Sequence, residues 1–243
     1  KEVERKTRKV QILDIQIKGH SQKRLINLLE EYYLKTKGVK INRCNNTNVK
    51  KYIYLDDCMY TGLTLIKDIC NWIDNMNPNS YTQLDVILLG KYNGNVDYVN
   101  GCLIKKCNVK GITVKIYSMY EYNNNFHYVP PYDVLWPQYM DDDEYVNAYV
   151  QYMEEQKKIT GKGGLGFRNT YLGKESDLFT SSYNRVVLEK ALLKKGAYIC
   201  SLPQNRNERM KPMGYSHGIS LGFGAFFATC FNISNNCPLA FWW

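Results

Sequence analysis

The stretch that decides the fold is residues 51–64, which read KYIYLDDCMYTGLT. Five β-prone residues lead into two adjacent acids, Asp56 and Asp57, and a short turn follows around Gly62. A helical pattern begins at Thr64, so the segment predicts a buried strand, a tight loop and a helix in direct succession. Open α/β sheets bind their ligands at the carboxyl ends of the strands, and this segment places its acids there.

The turn after this strand has the features of a phosphate site. Gly62 can adopt a backbone conformation that other residues disfavour, and Thr61 and Thr64 add hydroxyl donors on either side of it. Backbone N–H groups at a helix start favour a phosphate, whereas the two acids suit ribose hydroxyls or a Mg²⁺ ion. The segment therefore predicts a sugar phosphate as the ligand, with its ring hydroxyls at Asp56 and Asp57 and its phosphate at the turn.

The sequence around this segment predicts a parallel sheet. Residues 84–89 and 112–117 are further β-prone runs, and residues 64–72 have helical spacing. A strand, a helix and a strand joined by connections of this length form a parallel crossover. Upstream, apolar residues at helical spacing predict an amphipathic helix over 21–37, with Gly38 as its stop.

The second half of the chain has a different order of predicted elements, with two helices first and three strands after them. Residues 145–158 and 181–195 predict helices, whereas residues 197–201, 221–231 and 238–243 predict strands. The acids that precede the first of these helices are interpreted as helix caps rather than as metal ligands, because they suit the helix dipole. The predicted fold class is α/β, a parallel-sheet core with a C-terminal α+β elaboration.

The 243 residues are predicted to form a single domain. Residues 1–50 would be an N-terminal arm and helix, residues 51–120 the ligand-binding core, and residues 121–243 the C-terminal elaboration.

Composition excludes some classes of protein and leaves others open. Hydrophobic residues make up 44% of the chain, which is typical of a globular protein and argues against wholesale disorder. No apolar run is long enough for a membrane helix, and the lysine-rich start lacks the apolar core of a signal peptide, so we expect a cytoplasmic protein. The net charge of +9 fits a solvated lysine surface, a phosphate-bearing ligand or nucleic acid.

The cysteines and histidines do not form a recognisable metal motif. Eight cysteines in a chain without a secretory signal predict reduced thiols. Cys102 and Cys107 are the closest pair, but neither a second cysteine pair nor a histidine pair follows at the spacing of a zinc site.

The pattern Asp56-Asp57-x-x-x-Thr61-Gly62-x-Thr64 resembles the signature with which type I phosphoribosyltransferases bind PRPP, 5-phosphoribosyl-1-pyrophosphate. The resemblance implies that Asp56 and Asp57 are catalytic and hold a Mg²⁺ ion. The PRPP-binding and phosphate-binding residues that it implies are Asp56, Asp57, Met59, Tyr60, Thr61, Gly62 and Thr64.

One position departs from that signature. In purine-salvage members the residue before Thr-Gly is often an aspartate that acts as a general base toward the nucleobase, and here it is Tyr60. A tyrosine of ordinary pKa is a poor base at neutral pH, so the departure argues against purine salvage but not against PRPP binding.

Motifs in the second half extend the resemblance to about residues 50–243. They include Val134-Leu-Trp-Pro137, Asn184-Arg185, Lys211-Pro212, Gly222-Phe-Gly224 and Asn235-Asn-Cys-Pro238. Together they are similar to PRTase-CE, a phosphoribosyltransferase-like conflict-effector family of bacterial anti-phage systems. The resemblance implies a toxic effector whose partners can be a retron reverse transcriptase, its msDNA or RNA, and a helix-turn-helix protein.

Two basic residues of these motifs are candidates for additional phosphate contacts. Arg185 suits bidentate binding of a phosphate, and Lys211 is the second candidate. The alternative for Arg185 is an internal ion pair, because Glu189 lies four residues later on the same predicted helix. Gly222 and Gly224 have a structural alternative as well, since glycines permit close packing of backbones.

Three functions are compatible with these residues. The first is an effector enzyme that binds PRPP or a nucleotide and transfers or releases a phosphoribosyl group, which makes it a glycosyltransferase of the pentosyltransferase class. The second is a non-catalytic sensor of PRPP or a nucleotide. The third is a structural subunit of a retron-type nucleoprotein complex, in which the positive charge contacts nucleic acid.

Overall fold

A computed structural model describes residues 9–41, 49–125, 131–140, 142–162, 166–169, 175–205, 207–230 and 232–243. The chain divides into two compact units. Unit 1 comprises Lys1–Tyr122 with Cys230–Asn232, and unit 2 comprises Asn123–Thr229 with Ile233–Trp243. The single-domain organisation stays a prediction. None of the helices in the described ranges is both long and apolar enough to cross a bilayer.

Unit 1 is a four-stranded parallel sheet with three helices, counted over its described residues. In chain order its elements are β1 (Val10–Leu13), α1 (Ser21–Lys37), β2 (Lys51–Met59), α2 (Leu63–Met76), β3 (Gln83–Tyr92), α3 (Val96–Asn108) and β4 (Thr113–Tyr122). The strands lie side by side in the order β1-β2-β3-β4, and every neighbouring pair is parallel. The α/β prediction is confirmed.

Alternation along the strands divides the apolar residues of unit 1 between two faces of the sheet. On one face α2 and α3 bury the main core, which includes Tyr54, Ile69, Val86 and Leu103. On the other face α1 places Ile26 in a smaller cluster with Ile12, Ile53 and Leu55. Helices on both sides of the sheet leave its carboxyl edge, where β2 ends, as the place where loops gather.

The helix predicted at 21–37 is confirmed, and Gly38 ends it in the left-handed conformation at φ 63°. Neither β1 nor α3 was predicted, although α3 carries Val99, Leu103 and Cys107 at a regular spacing of four. The strands also extend beyond their apolar runs. Their last residues include polar side chains, but these residues stay in register with the neighbouring strands.

Unit 2 contains α4 (Glu144–Thr160), α5 (Ser182–Ser201) and a minimal hairpin of β5 (Ala228–Thr229) and β6 (Asn232–Ile233), the last of which lies partly in unit 1. Asp143 caps α4, because its carboxylate accepts hydrogen bonds from the backbone N–H groups of Tyr145 and Val146. The capping interpretation is thus confirmed for Asp143, whereas Asp141 lies outside the described residues.

Three strands predicted in unit 2 are wrong. Residues 197–201 are the last turn of α5, and residues 238–243 contain a 3₁₀ turn, Leu239–Phe241. Within 221–231 the described residues form only the two-residue strand β5. Where these segments are buried, they pack as a helix end and as turns rather than in a sheet ladder, so their hydrophobicity does not report their conformation.

Glycines of this region let backbone segments pack closely against one another. A Cβ on Gly196 would lie 2.4 Å from the Pro212 carbonyl oxygen, so Gly196 lets a loop pack onto α5, which continues to Ser201. Gly224 approaches Leu135 in the same way, and its carbonyl accepts a hydrogen bond of 2.8 Å from the Leu135 N–H. The interpretation of Gly222 and Gly224 as close-packing residues is confirmed.

Candidate functional site

The two acids of the deciding segment lie inside the last part of β2, not after its end. Asp56 is in register with Leu88 of β3, and the strand continues to Met59. Asp57 is 2% exposed. One of its carboxylate oxygens accepts a hydrogen bond of 2.7 Å from the Cys58 N–H, and the other accepts one of 3.1 Å from the side-chain amide of Asn232.

Asp56 is held by groups from three segments. Its Oδ1 accepts hydrogen bonds from Ser21 Oγ at 2.7 Å and from the Asp57 N–H at 2.9 Å, and its Oδ2 accepts a longer one of 3.4 Å from Gln16 Nε2. Burial raises the pKa of Asp56 to about 7. The carboxylate of Asp57 adds to the increase through its charge and through a hydrogen bond that favours the protonated form, whereas the Ser21 and Asp57 donors oppose it. The raised pKa of Asp56 follows from its burial beside another carboxylate.

A third acid, Asp68 of α2, is linked to Asp56 through the hydroxyl of Tyr54. Tyr54 donates its hydroxyl to Asp68 Oδ2 at 3.0 Å, and the hydroxyl lies 3.4 Å from Asp56 Oδ2. Burial, followed by the charges of Asp56 and Asp68, holds the pKa of Tyr54 well above its usual range, so the phenol keeps its proton. Burial also raises the pKa of Asp68.

We call Asp56, Asp57 and Asp68 the acidic cluster. In the described part of the chain every hydrogen bond to these carboxylates comes from a neutral donor: hydroxyls, amides and backbone N–H groups. An excess of buried negative charge is costly unless a cation or several donors compensate it. The charge of Lys67 acts on Asp68, and the remaining negative charge of the cluster suits sugar hydroxyls or a divalent cation.

The acid pair fits a Mg²⁺ ion that is shared with a ligand. Among the described residues there is no group of three His, Cys, Asp or Glu side chains that could hold a metal ion alone. Mg²⁺ at nucleotide sites is held by one or two carboxylates, with water and substrate phosphates as its other ligands. Asp56 and Asp57 can supply these two carboxylates.

The residues between the acids and the turn are packed inside the unit. Met59 is 3% exposed, and Tyr60 stacks on Tyr92 with 5.6 Å between the ring centroids. Tyr92 in turn contacts Tyr122 at 5.1 Å. The side chains of Met59 and Tyr60 therefore support the end of the sheet, and any contact that they make with a ligand is through their backbone.

The turn itself is shaped by Gly62. Its φ of 77° lies in the left-handed region, and a Cβ there would be 2.2 Å from Val99 Cγ2 of α3. Both the conformation and the packing thus require glycine. Thr61 is half-buried and Thr64 is exposed, so the first turn of α2 faces solvent with its backbone N–H groups available to an anion.

The sequence reasoning missed the loop that follows β1. The carboxamide oxygen of Gln22 accepts hydrogen bonds from the backbone N–H groups of Ile15 at 2.7 Å and Gln16 at 2.9 Å, which fixes the start of the loop. Gln16 and Ser21, on either side of the exposed residues Lys18 and Gly19, both reach Asp56. One feature of the sequence could have indicated this loop: a short strand of four residues is followed by a glycine-containing segment and then by a helix.

Asn232 was also missed, and no pattern in the sequence indicated it. It lies 175 residues after Asp57 in the chain and groups with unit 1, where its side chain contacts Asp57.

Arg185 lies in unit 2 and is buried among protein partners. Its guanidinium donates to Glu189 at 2.8 Å, to Glu175, and to the Val134 carbonyl at 2.7 Å. Arg168 donates to the second oxygen of Glu189 at 2.8 Å. We call Arg168, Arg185, Glu175 and Glu189 the ion network. The pairing of Arg185 with Glu189 is confirmed, and we leave Arg185 out of the proposed site.

Lys211 also belongs to unit 2. Its side chain is 4% exposed, and it lines a cavity of that unit together with Arg209 and Lys162.

The comparisons with known proteins give one result. The family model described as PRTase-CE matches residues 1–243, which is the whole chain. Neither the curated proteins nor the solved structures contain a match.

Proposed function

The chain belongs to the PRTase-CE family, and from this premise we propose that unit 1 binds PRPP or a related nucleotide and transfers or releases its phosphoribosyl group. The observation that carries the proposal is the acid pair on β2 followed by the Gly62 turn. In the described part of the chain the acid pair receives hydrogen bonds from neutral donors, and an open helix start follows it; this arrangement suits a ligand with sugar hydroxyls at one end and a phosphate at the other.

Each part of the site has a distinct role in this proposal. Asp56 and Asp57 bind the ribose hydroxyls and stabilise the positive charge that develops on the sugar as the bond from C1 to the pyrophosphate oxygen breaks. Thr61, Gly62 and Thr64 bind the 5′-phosphate through backbone N–H groups and hydroxyls. A Mg²⁺ ion held by the two acids would neutralise charge on the departing pyrophosphate.

The loop after β1 supplies a further part. Gln16 and Ser21 both bond to Asp56, and Lys18 and Gly19 lie between them in the chain and are exposed. We assign to them the pyrophosphate, whose charge a lysine and an open backbone can meet.

The reaction that fits best is release of the phosphoribosyl group or its transfer to an acceptor that needs no strong base. Tyr60 occupies the position of the salvage enzymes' aspartate, and its ring is stacked on Tyr92 inside the sheet edge. A buried phenol does not take a proton from an acceptor at neutral pH. In the cell we propose a toxic effector of anti-phage defence, held inactive by partners such as a retron reverse transcriptase with its RNA or DNA and a helix-turn-helix protein.

The test is product analysis with purified protein. Wild-type protein with Mg²⁺ and labelled PRPP or nicotinamide nucleotides should release pyrophosphate or base, and expression should deplete a nucleotide pool in cells. The variant Asp56→Asn/Asp57→Asn should abolish both effects. A matched control, Asp74→Asn/Asp97→Asn, removes two acids of unit 1 that lie outside the site and should keep both. Unchanged toxicity and product release in the Asp56/Asp57 variant would contradict catalysis at this site.

The second candidate is a non-catalytic sensor, and the buried, stacked position of Tyr60 favours it specifically. In that case PRPP or a nucleotide binds at the same residues, and the acids act only as hydroxyl ligands. Saturable binding without any released pyrophosphate or base over prolonged incubation would establish the sensor and exclude the transferase.

A further inference from the structure

Unit 2 contains a cavity of about 610 Å³ that the proposed phosphoribosyl site does not use. The second half of α4 forms one wall with Tyr152, Met153 and Gln156, and the loop 207–224 forms the other. Pockets for small molecules have volumes of about 300–1,000 Å³, so this cavity has room for a nucleotide-sized compound.

The charged groups on its walls favour an anion. Lys162, Arg209 and Lys211 line the cavity, and Glu208 is the acid that accompanies them. Lys211 is 4% exposed, so the cavity is lined in part by a cationic residue that is buried in the protein. Charge interactions are stronger at such a wall than at an open surface, and a phosphate is the common metabolite group that matches several cations at once.

The remaining wall suits a flat ring. Tyr152, Phe223 and Ile219 contribute apolar and aromatic surface, and Gln156 and Asn124 contribute amides that can both donate and accept hydrogen bonds. Aromatic surface stacks with nucleobases, and amides bond to their edges. One cavity thus combines groups that can bind a phosphate, a base ring and the polar edge of that base.

The loop that forms the second wall is held in place. Within it the Met213 N–H donates to the Leu221 carbonyl at 2.8 Å, and the Gly224 N–H donates to the Met213 carbonyl at 2.7 Å. From α4 the Tyr149 hydroxyl donates to the Ser220 carbonyl at 2.9 Å. A wall fixed by such bonds costs little ordering entropy when a ligand binds.

We propose that this cavity is a second ligand site, which binds a free nucleoside phosphate. Its cations bind the phosphate, and the aromatic wall with its amides binds the base. The site is separate from the phosphoribosyl site in residues and in chemistry, and it stands whether or not unit 1 proves to be a transferase.

The experiment removes the first site and measures the second. In the Asp56→Asn/Asp57→Asn background we would titrate fluorescent N-methylanthraniloyl derivatives of AMP, ADP, GMP, CMP and UMP. At least one should bind saturably, and Arg209→Ala and Lys162→Ala should each weaken it by about tenfold or more, as loss of a charge-assisted bond implies. Arg209 and Lys162 are both exposed, so these variants should fold normally.

The matched control is Lys158→Ala. It removes an exposed charge from α4, the helix that forms one wall, at a position that does not line the cavity, and it should leave binding unchanged. The proposal is overturned if none of the mononucleotides binds below about 1 mM, the weak end of specific affinity. It is also overturned if Lys158→Ala weakens binding as much as Arg209→Ala, or if a 5′-phosphorylated oligonucleotide binds where mononucleotides do not.

Discussion

Each of the two units buries a group of charged side chains, and the two groups differ in balance. The ion network of unit 2 contains two arginines and two glutamates that satisfy one another, with Glu189 bonded to both arginines. The acidic cluster of unit 1 contains three carboxylates whose hydrogen bonds come from neutral donors in the described part of the chain. The charges of the ion network are paired within the protein, whereas we expect the acidic cluster to be compensated by a ligand.

This difference predicts opposite responses to the same chemical change, an acid replaced by its amide. The largest effect is expected for Glu189→Gln, because it leaves two buried guanidinium groups short of one negative charge. The free energy of unfolding should fall by about 3–5 kcal/mol, measured by urea denaturation. Asp142→Asn, which breaks exposed pairs with Lys190 and Lys194 in the same unit, should leave the free energy of unfolding almost unchanged. Equal losses in the two variants would show that the network contributes no more than a surface pair.

The second prediction concerns the turn that follows the acids. Gly62→Ala introduces a Cβ 2.2 Å from Val99 Cγ2 at a φ of 77°, so it should reduce stability by about 1–3 kcal/mol in the same assay. Gly161→Ala is the matched control, since Gly161 has a φ of 65° but nothing within 4 Å of its Cβ position. The difference between the two variants measures the packing against α3 alone, and no difference would contradict the close contact.

The smallest predicted effect has the opposite sign. Asp56→Asn removes a charge that burial and Asp57 disfavour, as the raised pKa of Asp56 shows. We therefore expect unfolding above pH 7 to require about 0.5–2 kcal/mol more than in the wild type, because charged functional sites are often kept at the expense of stability. A clear loss of stability would place Asp56 with Glu189 as a structural acid and would remove the contrast between the two groups.

The same contrast explains how much could be predicted from the sequence. In unit 1 the strand with its acids, the Gly62 turn and the helix at 21–37 were predicted, because regular periodicity and local turn chemistry determine them. Asn232 could not be predicted, since its contact with Asp57 joins segments far apart in the chain. The loop after β1 was missed because Gln16 and Ser21 matter only once the sheet places them beside Asp56.

Unit 2 was harder for a physical reason. Its apolar segments pack as loops whose backbones approach one another at glycines such as Gly196 and Gly224. Hydrophobicity predicted the burial of residues such as Leu221 and Leu239 but not the exposure of Phe226 and Trp243, and it gave strands where the chain has a helix end and turns. Arg185 illustrates the same point, since only the structure shows that Glu175 and the Val134 carbonyl join Glu189 as its partners.

The central claim is that the acidic cluster is a ligand site, and calorimetric titration with PRPP in the presence of Mg²⁺ tests it most directly. Wild-type protein should bind with one-site saturation that depends on Mg²⁺, and Asp56→Asn/Asp57→Asn should weaken binding by about a hundredfold or more while remaining folded. Binding of equal affinity in the wild type and in this variant would contradict the account.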